Sequence, residues 1–418
     1  MMKKINKKLI SSIILGLILY TPVTNVHAAE LNDGAIKGSA DNYGSYRTED
    51  SGIYTYDFQG ASQLNITDNS NENYGIGIYT NSGLEQIKIV DKLDININKN
   101  NNNTYNFDGI IISPTNESNK IIDRSAGGNI TIESINPGSM ATFRGAAINI
   151  LRAPGMENKI LLGDSDIKLN VVDAENGIYL YGLYIDSMGS GGSNNQIVMG
   201  NGKMEITGNL KSGGKNNTQG IGMLVFYENT ITTGDVSVDI KMTNEDNTLQ
   251  NINVGIDAEH GGKVITGNGN INVYGNGGSA VYNSGVFAYD GGEVTKTGGN
   301  ITAIAEGEGT LAARGVFAQG GTIDVGISDV ITQAIGGSIE NNNFIESIGL
   351  VSLSDGLINY AGGTITATAD NKDAYVAAVL ANSGGNININ KGTNNKVIIN
   401  GKVDNLSTGA IFLNLNTA

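Results

Sequence analysis

Two short stretches of this 418-residue chain, Gly163-Asp-Ser165 and Asp257-x-x-His260, carry a serine, aspartates and a histidine. A serine nucleophile, a histidine base and an orienting aspartate are the parts of an acyl-transfer site. His260 is one of two histidines, and the other, His27, falls in the leader described below. Ser165, however, lies between Asp164 and Asp166 at the start of a strand pattern, without the strand–turn–helix setting of a nucleophile elbow. A lone histidine in a turn is ordinarily structural or solvated, so no catalytic residue is assigned here.

Paired carboxylates offer a second chemistry. Asp164 with Asp166, Asp235 with Asp239, and Asp370 with Asp373 could each flank a cation or a sugar, or simply be solvated turn acids. Beyond the leader there are five arginines, Arg47, Arg124, Arg144, Arg152 and Arg314, spread widely along the chain. That scarcity argues against a cleft for acidic sugars. Gly267-Asn-Gly-Asn-Ile-Asn-Val273 resembles one degenerate calcium-binding nonapeptide of the RTX kind, but asparagine stands where aspartate is needed. Cysteine is absent, which removes thiolate nucleophiles and cysteine-based zinc sites. No P-loop, dinucleotide fingerprint or H-E-x-x-H is present, and no metal or cofactor site is expected. Tyr74, Tyr79, Tyr179, Tyr181 and Tyr184 could stack on sugar rings or on one another between neighbouring coils.

Charge and the N-terminus set the compartment. Lys3, Lys4, Lys7 and Lys8 precede the apolar run Leu9 to Tyr20, and Val26-His27-Ala28 fits a signal-peptidase site, so residues 1–28 are read as a signal peptide. Its removal takes four lysines and no acid, moving the formal charge from −15 to −19. Such a chain repels nucleic acid and anionic membrane surfaces, since both require a basic footprint. An exported protein without disulfides must be held by burial and hydrogen bonding alone. Asn-rich stretches such as Asn100 to Asn103 suggest disorder, but β-branched residues alternating with polar ones throughout indicate order.

What would position any such groups is a repeat. Gly255-Ile-Asp-Ala-Glu-His-Gly-Gly-Lys-Val264 returns as Gly285-Val-Phe-Ala-Tyr-Asp-Gly-Gly-Glu-Val294 and Gly315-Val-Phe-Ala-Gln-Gly-Gly-Thr-Ile323, with a looser copy at Ala378 to Ile387. This alignment puts His260 in the column of Asp290, and Asp257 in that of Phe287 and Phe317. Each repeat holds three strand signals: Val286 to Tyr289, Glu293 to Thr297, and Asn300 to Ile304, followed by a polar loop, Ala305 to Thr310. The third strand recurs as Leu64 to Ile66, Leu93 to Ile97, Ile130 to Ile132, Ile167 to Val171, Met204 to Ile206, Val236 to Ile240, Ile271 to Val273, Ile365 to Thr368 and Ile387 to Ile389. The expected fold is therefore all-β, a right-handed parallel β-helix of about ten coils, a solenoid with an N-terminal cap. A sandwich or barrel of hairpins would fit the strand spacing alone.

Residues 29–63, rich in tyrosine, are expected to cap the helix, and residues 64–418 to form it. Excursions between coils are expected at Asn100 to Asn106, Ser187 to Asn195, Lys211 to Gln219, Asn244 to Asn251 and Glu340 to Asn343, where recognition would lie. Gly409 to Asn416 restarts a first strand, leaving the C-terminal end open and the chain expected to continue.

An Asn/Gly-rich, cysteine-free, acidic β-helix behind a signal peptide resembles the passenger region of a type V autotransporter of the pertactin-like kind. The likeness covers about residues 30 to 418 and rests on architecture and the G-[IV]-x-A-x-x-G-G phrase. It implies a surface-displayed or released, outer-membrane-associated rod, often adhesive, whose partner would be a host or bacterial surface glycan or protein. The chain departs from that family in lacking a barrel strand series before Ala418, so either an outer-membrane β-barrel translocator lies beyond it or the chain is a secreted relative without one. The fragments around Ser165 and His260 resemble blocks of GDSL-type esterases, but they sit at ordinary repeat positions. Parallel β-helices also host polysaccharide lyases and glycosidases, which is the alternative reading for the carboxylates.

Overall fold

The computed structural model describes residues 39–40, 47–50, 53–57, 62–67, 74–80, 85–99, 106–112, 119–135, 143–151, 156–186, 194–211, 213, 216–246, 248–337, 345–371, 373–389, 397–403 and 411–414. The expected signal peptide and most of the expected excursions lie outside them. All regular structure among the described residues is strand, and none of them forms a helix able to cross a membrane.

Each winding lays one strand on each of three walls. Ala280–Tyr289 lies on the first, Glu293–Gly298 on the second and Ile301–Gly307 on the third. On the first wall Ala280–Tyr289 pairs in parallel with Gln250–Glu259 before it and Thr310–Gln319 after it. The second and third walls repeat this parallel pairing between successive windings. Among the described residues the first wall is eleven strands deep, close to the ten coils expected. Parallel pairing rules out the sandwich of hairpins. Among the described residues, antiparallel strand pairing is confined to Ser39–Ala40 against Ser62–Thr67 and Arg47–Asp50 against Ile53–Tyr56.

The third wall follows the expected alternation. Ile95, Ile130, Ile167, Met204, Val238, Ile271, Ile301, Val330 and Ile365 stand in register and are fully buried in one core. Neighbouring strands lie about 4.8 Å apart, so these side chains form a continuous aliphatic column. Each winding thus completes the core of the next.

Four boundaries differ from expectation. Ile387 to Ile389 belongs to the second wall, where Asn386–Ile389 pairs with Leu357–Ala369, and the third-wall strand of that winding is Val397–Val403. The third wall also contains Val330–Gly336, which the periodicity did not single out. The polar loop Ala305 to Thr310 shrinks to a two-residue corner, because strand runs to Gly307 and resumes at Thr310. Ala305 is buried, and Gly307 turns the chain at φ +137°. Finally, within the expected cap, Ile53–Tyr56 is already a parallel second-wall strand against Gln86–Ile89. At the far end Ile411–Asn414 does restart the first wall, in parallel with Tyr375–Asn382.

The corners explain the composition. Between first and second walls, the repeated x-Gly-Gly phrase supplies two successive left-handed residues, His260 and Gly261 (φ 51° and 85°) or Asp290 and Gly291 (46° and 81°). Glycine adopts that conformation at no steric cost, and Asp, Asn and His tolerate it best among the rest. In earlier windings the same corner closes on buried asparagines. The amide N–H of Asn158 donates to Asn195 Oδ1 at 3.0 Å, and that of Asn195 to Asn229 Oδ1 at 3.0 Å. These residues are completely buried. These buried asparagines are partners for backbone donors inside the corner, whereas the Asn-rich run Asn100 to Asn103 that suggested disorder lies outside the described residues.

Candidate functional site

The structure separates the serine from the histidine. Ser165 sits at the corner between second and third walls, accepting from Arg124 Nη1 at 3.3 Å and donating to the Gly163 carbonyl at 3.2 Å. His260 sits at the corner between first and second walls. From Lys159–Leu162, beside Ser165, the second wall steps through Gln196–Met199 and Thr230–Thr233 to Lys263–Thr266, three windings on. At about 4.8 Å per step, a proton cannot pass between two residues so placed.

His260 occupies the column of Asp290, as the repeat predicts. Its Nδ1 lies 2.8 Å from Asp290 Oδ2 of the next winding. Its ring stacks on Tyr227, with centroids 5.7 Å apart, and meets Tyr289 edge-on at 5.4 Å. Asp257 likewise holds the register position of Phe287 and Phe317.

The three carboxylate pairs are also dispersed, and Asp164, Asp166, Asp235 and Asp370 each accept a different backbone N–H. Asp164 Oδ1 accepts the Asn201 N–H at 2.8 Å, Asn201 Oδ1 that of Asp235 at 2.8 Å, and Asp235 Oδ1 that of Asn268 at 2.7 Å. A parallel ladder runs from Asp94 to Asn129 at 2.7 Å, and Asp166 accepts the N–H of Lys203 at 2.9 Å. Asp239 faces Lys203 Nζ at 3.0 Å on the outer side of the third wall. Asp370 Oδ1 accepts the Gly336 N–H at 2.8 Å, whereas Asp373 donates its own N–H to Asn371. Asn268 of the calcium-like stretch belongs to the first of these ladders. Among the described residues no three acidic, histidine or cysteine side chains are grouped to hold a metal ion.

A different acid pair was not visible in the sequence. Ile256 and Ala258 enter the core, so Asp257 and Glu259 project from the other face of the same strand. Both are buried, and neither oxygen of Asp257 has a hydrogen-bond partner. Burial, reinforced by the Glu259 charge, pushes the Asp257 carboxyl well above its ordinary range. Burial likewise raises Glu259 to about 7. His260 Nε2 lies 3.9 Å from Glu259 Oε2. Elsewhere on this face, Asp108 is also raised to about 7 by burial and accepts from Asn149 Nδ2 at 2.8 Å, while two arginines lie against aromatic rings. Arg314 lies 4.7 Å above the Phe317 ring and pairs with Glu346. Arg144 covers the rings of Tyr181 and Tyr184, at 5.8 and 5.4 Å. Tyr181 and Tyr184 stack on each other at 4.9 Å, so these tyrosines are packed rather than presented. The side chains of Tyr74 and Tyr79 lie outside the described residues.

In comparison with known proteins, no family, no curated protein and no solved structure matches the chain.

Proposed function

We propose that this chain is the passenger of an exported, surface-displayed or secreted β-helix protein that acts as an adhesin or surface rod without catalysis. The observation that carries this reading is the stack of parallel windings among the described residues, in which Asp94, Asp164, Asp166 and Asp235 on the corners accept backbone N–H groups of the next winding. A regular scaffold of that kind offers a long, rigid, repetitive surface, which adhesion requires and which a single reaction centre does not. The leader-like N-terminus and the net charge of −15 are consistent with an extracellular partner that is neither nucleic acid nor an anionic membrane. Its partner would be a surface glycan or protein, and a β-barrel translocator would belong to the same secretion route. The test is binding of the purified chain to cells or immobilised glycans. Binding should survive Ser165→Ala and His260→Ala, and an ester or polysaccharide hydrolysis abolished by either change would overturn the proposal.

One observation favours a second reading, a polysaccharide-active enzyme. Asp257 and Glu259 are carboxylates two residues apart on one strand face with raised pKa values, the pairing from which acid and base roles arise. Both are shut off from solvent, however, and a polymer chain would have to reach them. Product release from a polysaccharide, lost in Asp257→Asn and Glu259→Gln, is the result that would favour it.

A further inference from the structure

A groove of about 470 Å³ runs along the outer side of the second wall, across Glu293–Gly298, Thr322–Ile327 and Leu357–Ala369. Its volume falls within the roughly 300–1,000 Å³ of ligand sites. The groove is a consequence of the backbone. Thr297, Gly326 and Ala361 lie at neighbouring register positions on successive strands, and the last two carry little or no side chain. Gly326 cannot be replaced by a larger residue without distortion, because a Cβ there would lie 1.7 Å from the Thr297 carbonyl oxygen. The depression is thus a fixed feature of the winding.

Polar groups converge on that floor. Asp324 Oδ1 is held by Asn359 Nδ2 at 2.6 Å, and Asn359 Oδ1 by Asn388 Nδ2 at 2.7 Å. The ladder fixes both side chains while leaving Asp324 Oδ2 and the second Asn359 N–H for a ligand. The Thr295 hydroxyl stands beside them. Directly after the floor, Ile327 is 58% exposed, the most exposed large apolar side chain described. An acceptor on Asp324, a donor on Asn359 and two threonines around a shallow open groove match a ring that carries hydroxyls on its rim. The Asp324 carboxylate and the chain's net charge of −15 oppose a ligand bearing carboxylates or sulfates.

We propose that this groove is a subsite for an uncharged hexose unit of a glycan. The proposal rests on the adhesin reading and supplies its ligand class. It is tested by titrating the full chain with maltose, lactose, cellobiose and N,N′-diacetylchitobiose, and with trigalacturonate as the acidic counterpart, following protein NMR signals or heat. At least one neutral disaccharide should bind and trigalacturonate should not. Asp324→Ala and Ala361→Arg should each weaken that binding tenfold or more, with an unchanged melting temperature. Asp290→Ala, at a different corner, should leave it unaltered. Binding of none of the four neutral sugars, preference for trigalacturonate, or binding indifferent to both groove variants would overturn the subsite. If the chain still adheres to cells in that event, only the groove assignment fails. If the neutral sugar binds in the groove but is cleaved there, the adhesin reading fails and the subsite stands.

Discussion

The ammonium of Lys296 donates to the carbonyl oxygen of Gly269, one winding earlier, at 2.7 Å, and it is buried with only 1% of the residue exposed. It also reaches the Gly299 carbonyl at 3.2 Å. Lys296 thus occupies an inward column of the second wall and satisfies, from inside, corner carbonyls that the outer ladders do not reach. Arg124 does the same at another corner, donating Nε to the Leu93 carbonyl at 3.1 Å.

Burial holds the Lys296 amine at about 8, with Asp235 opposing the shift. The unfolded chain titrates this lysine near 10.4. Between those values the unfolded state carries a proton that the folded state has released, so the lysine's contribution to stability rises with pH. Below about pH 8 the full cost of the buried ammonium is present. In Lys296→Met this component is gone, and the stability difference between the two proteins should change by at most about 1.4 kcal/mol per pH unit from pH 8 to 10.5. Urea midpoints at pH 7.5, 9 and 10.5 measure it. Parallel pH curves for the two proteins would refute a titrating buried lysine.

The buried asparagines make a second prediction. Asn195 Oδ1 accepts from both the backbone N–H and the Nδ2 of Asn158, at 3.0 and 2.9 Å, and its own Nδ2 donates to Asn229 Oδ1 at 3.0 Å. Asn195→Ala leaves two donors of Asn158 without that acceptor and opens a small void. A loss of about 2–4 kcal/mol is expected from unsatisfied buried groups. Asn103→Ala, in an Asn-rich run read as an excursion, should lose less than about 0.5 kcal/mol. Equal losses at the two sites would contradict a specific ladder.

These cases show what the sequence made legible. The aliphatic alternation of the third wall was readable because one face meets solvent and the other meets the core. The repeat phrase was readable because each corner needs left-handed residues. Ile387 to Ile389 was misplaced because its alternation matches either wall, and only the preceding Gly384-Gly385 corner tells them apart. The first wall hides its period: Gly255 and Ile256 both face the core, and the side chains projecting the other way are buried too. Lys296 and Arg124 could not be found at all, since polarity alone places such residues outside. Asp257 was assigned its correct column, but its lack of any partner is a property of three-dimensional packing.

The glycines of the phrase serve two different purposes, which substitution should separate. A Cβ on Gly255 would lie 2.3 Å from Ile271 Cγ2 and 2.5 Å from the Gly285 carbonyl oxygen. Gly261 has φ +85° but no heavy atom closer than 4.0 Å. Gly255→Ala should therefore cost about 1–3 kcal/mol through overpacking, while Gly261→Ala pays only the left-handed backbone cost of roughly 1–2 kcal/mol. Ile271→Ala should relieve the part of the first loss that comes from its Cγ2, leaving the clash with the Gly285 carbonyl, and should leave the second loss untouched. A double-mutant cycle in urea reads this directly, with coupling expected for Gly255 with Ile271 and none for Gly261 with Ile271.

His260 decides between a corner residue and a reactive one. At φ 51° it stands where asparagine and glycine are tolerated and a β-branched residue is strained. His260→Asn should cost about 0.5–1.5 kcal/mol, from the lost ring contacts with Tyr227 and Tyr289 and the exposed contact with Asp290. His260→Val should lose these too and cost about 1–2 kcal/mol more, because valine clashes in the left-handed region. If the imidazole serves only the turn, adhesion measured well below either unfolding midpoint will be the same for both variants and the parent. If it serves chemistry instead, asparagine and valine will be equally damaging to activity while differing in stability. The order of the two losses, set beside the binding curve, therefore distinguishes backbone conformation from imidazole function at this corner.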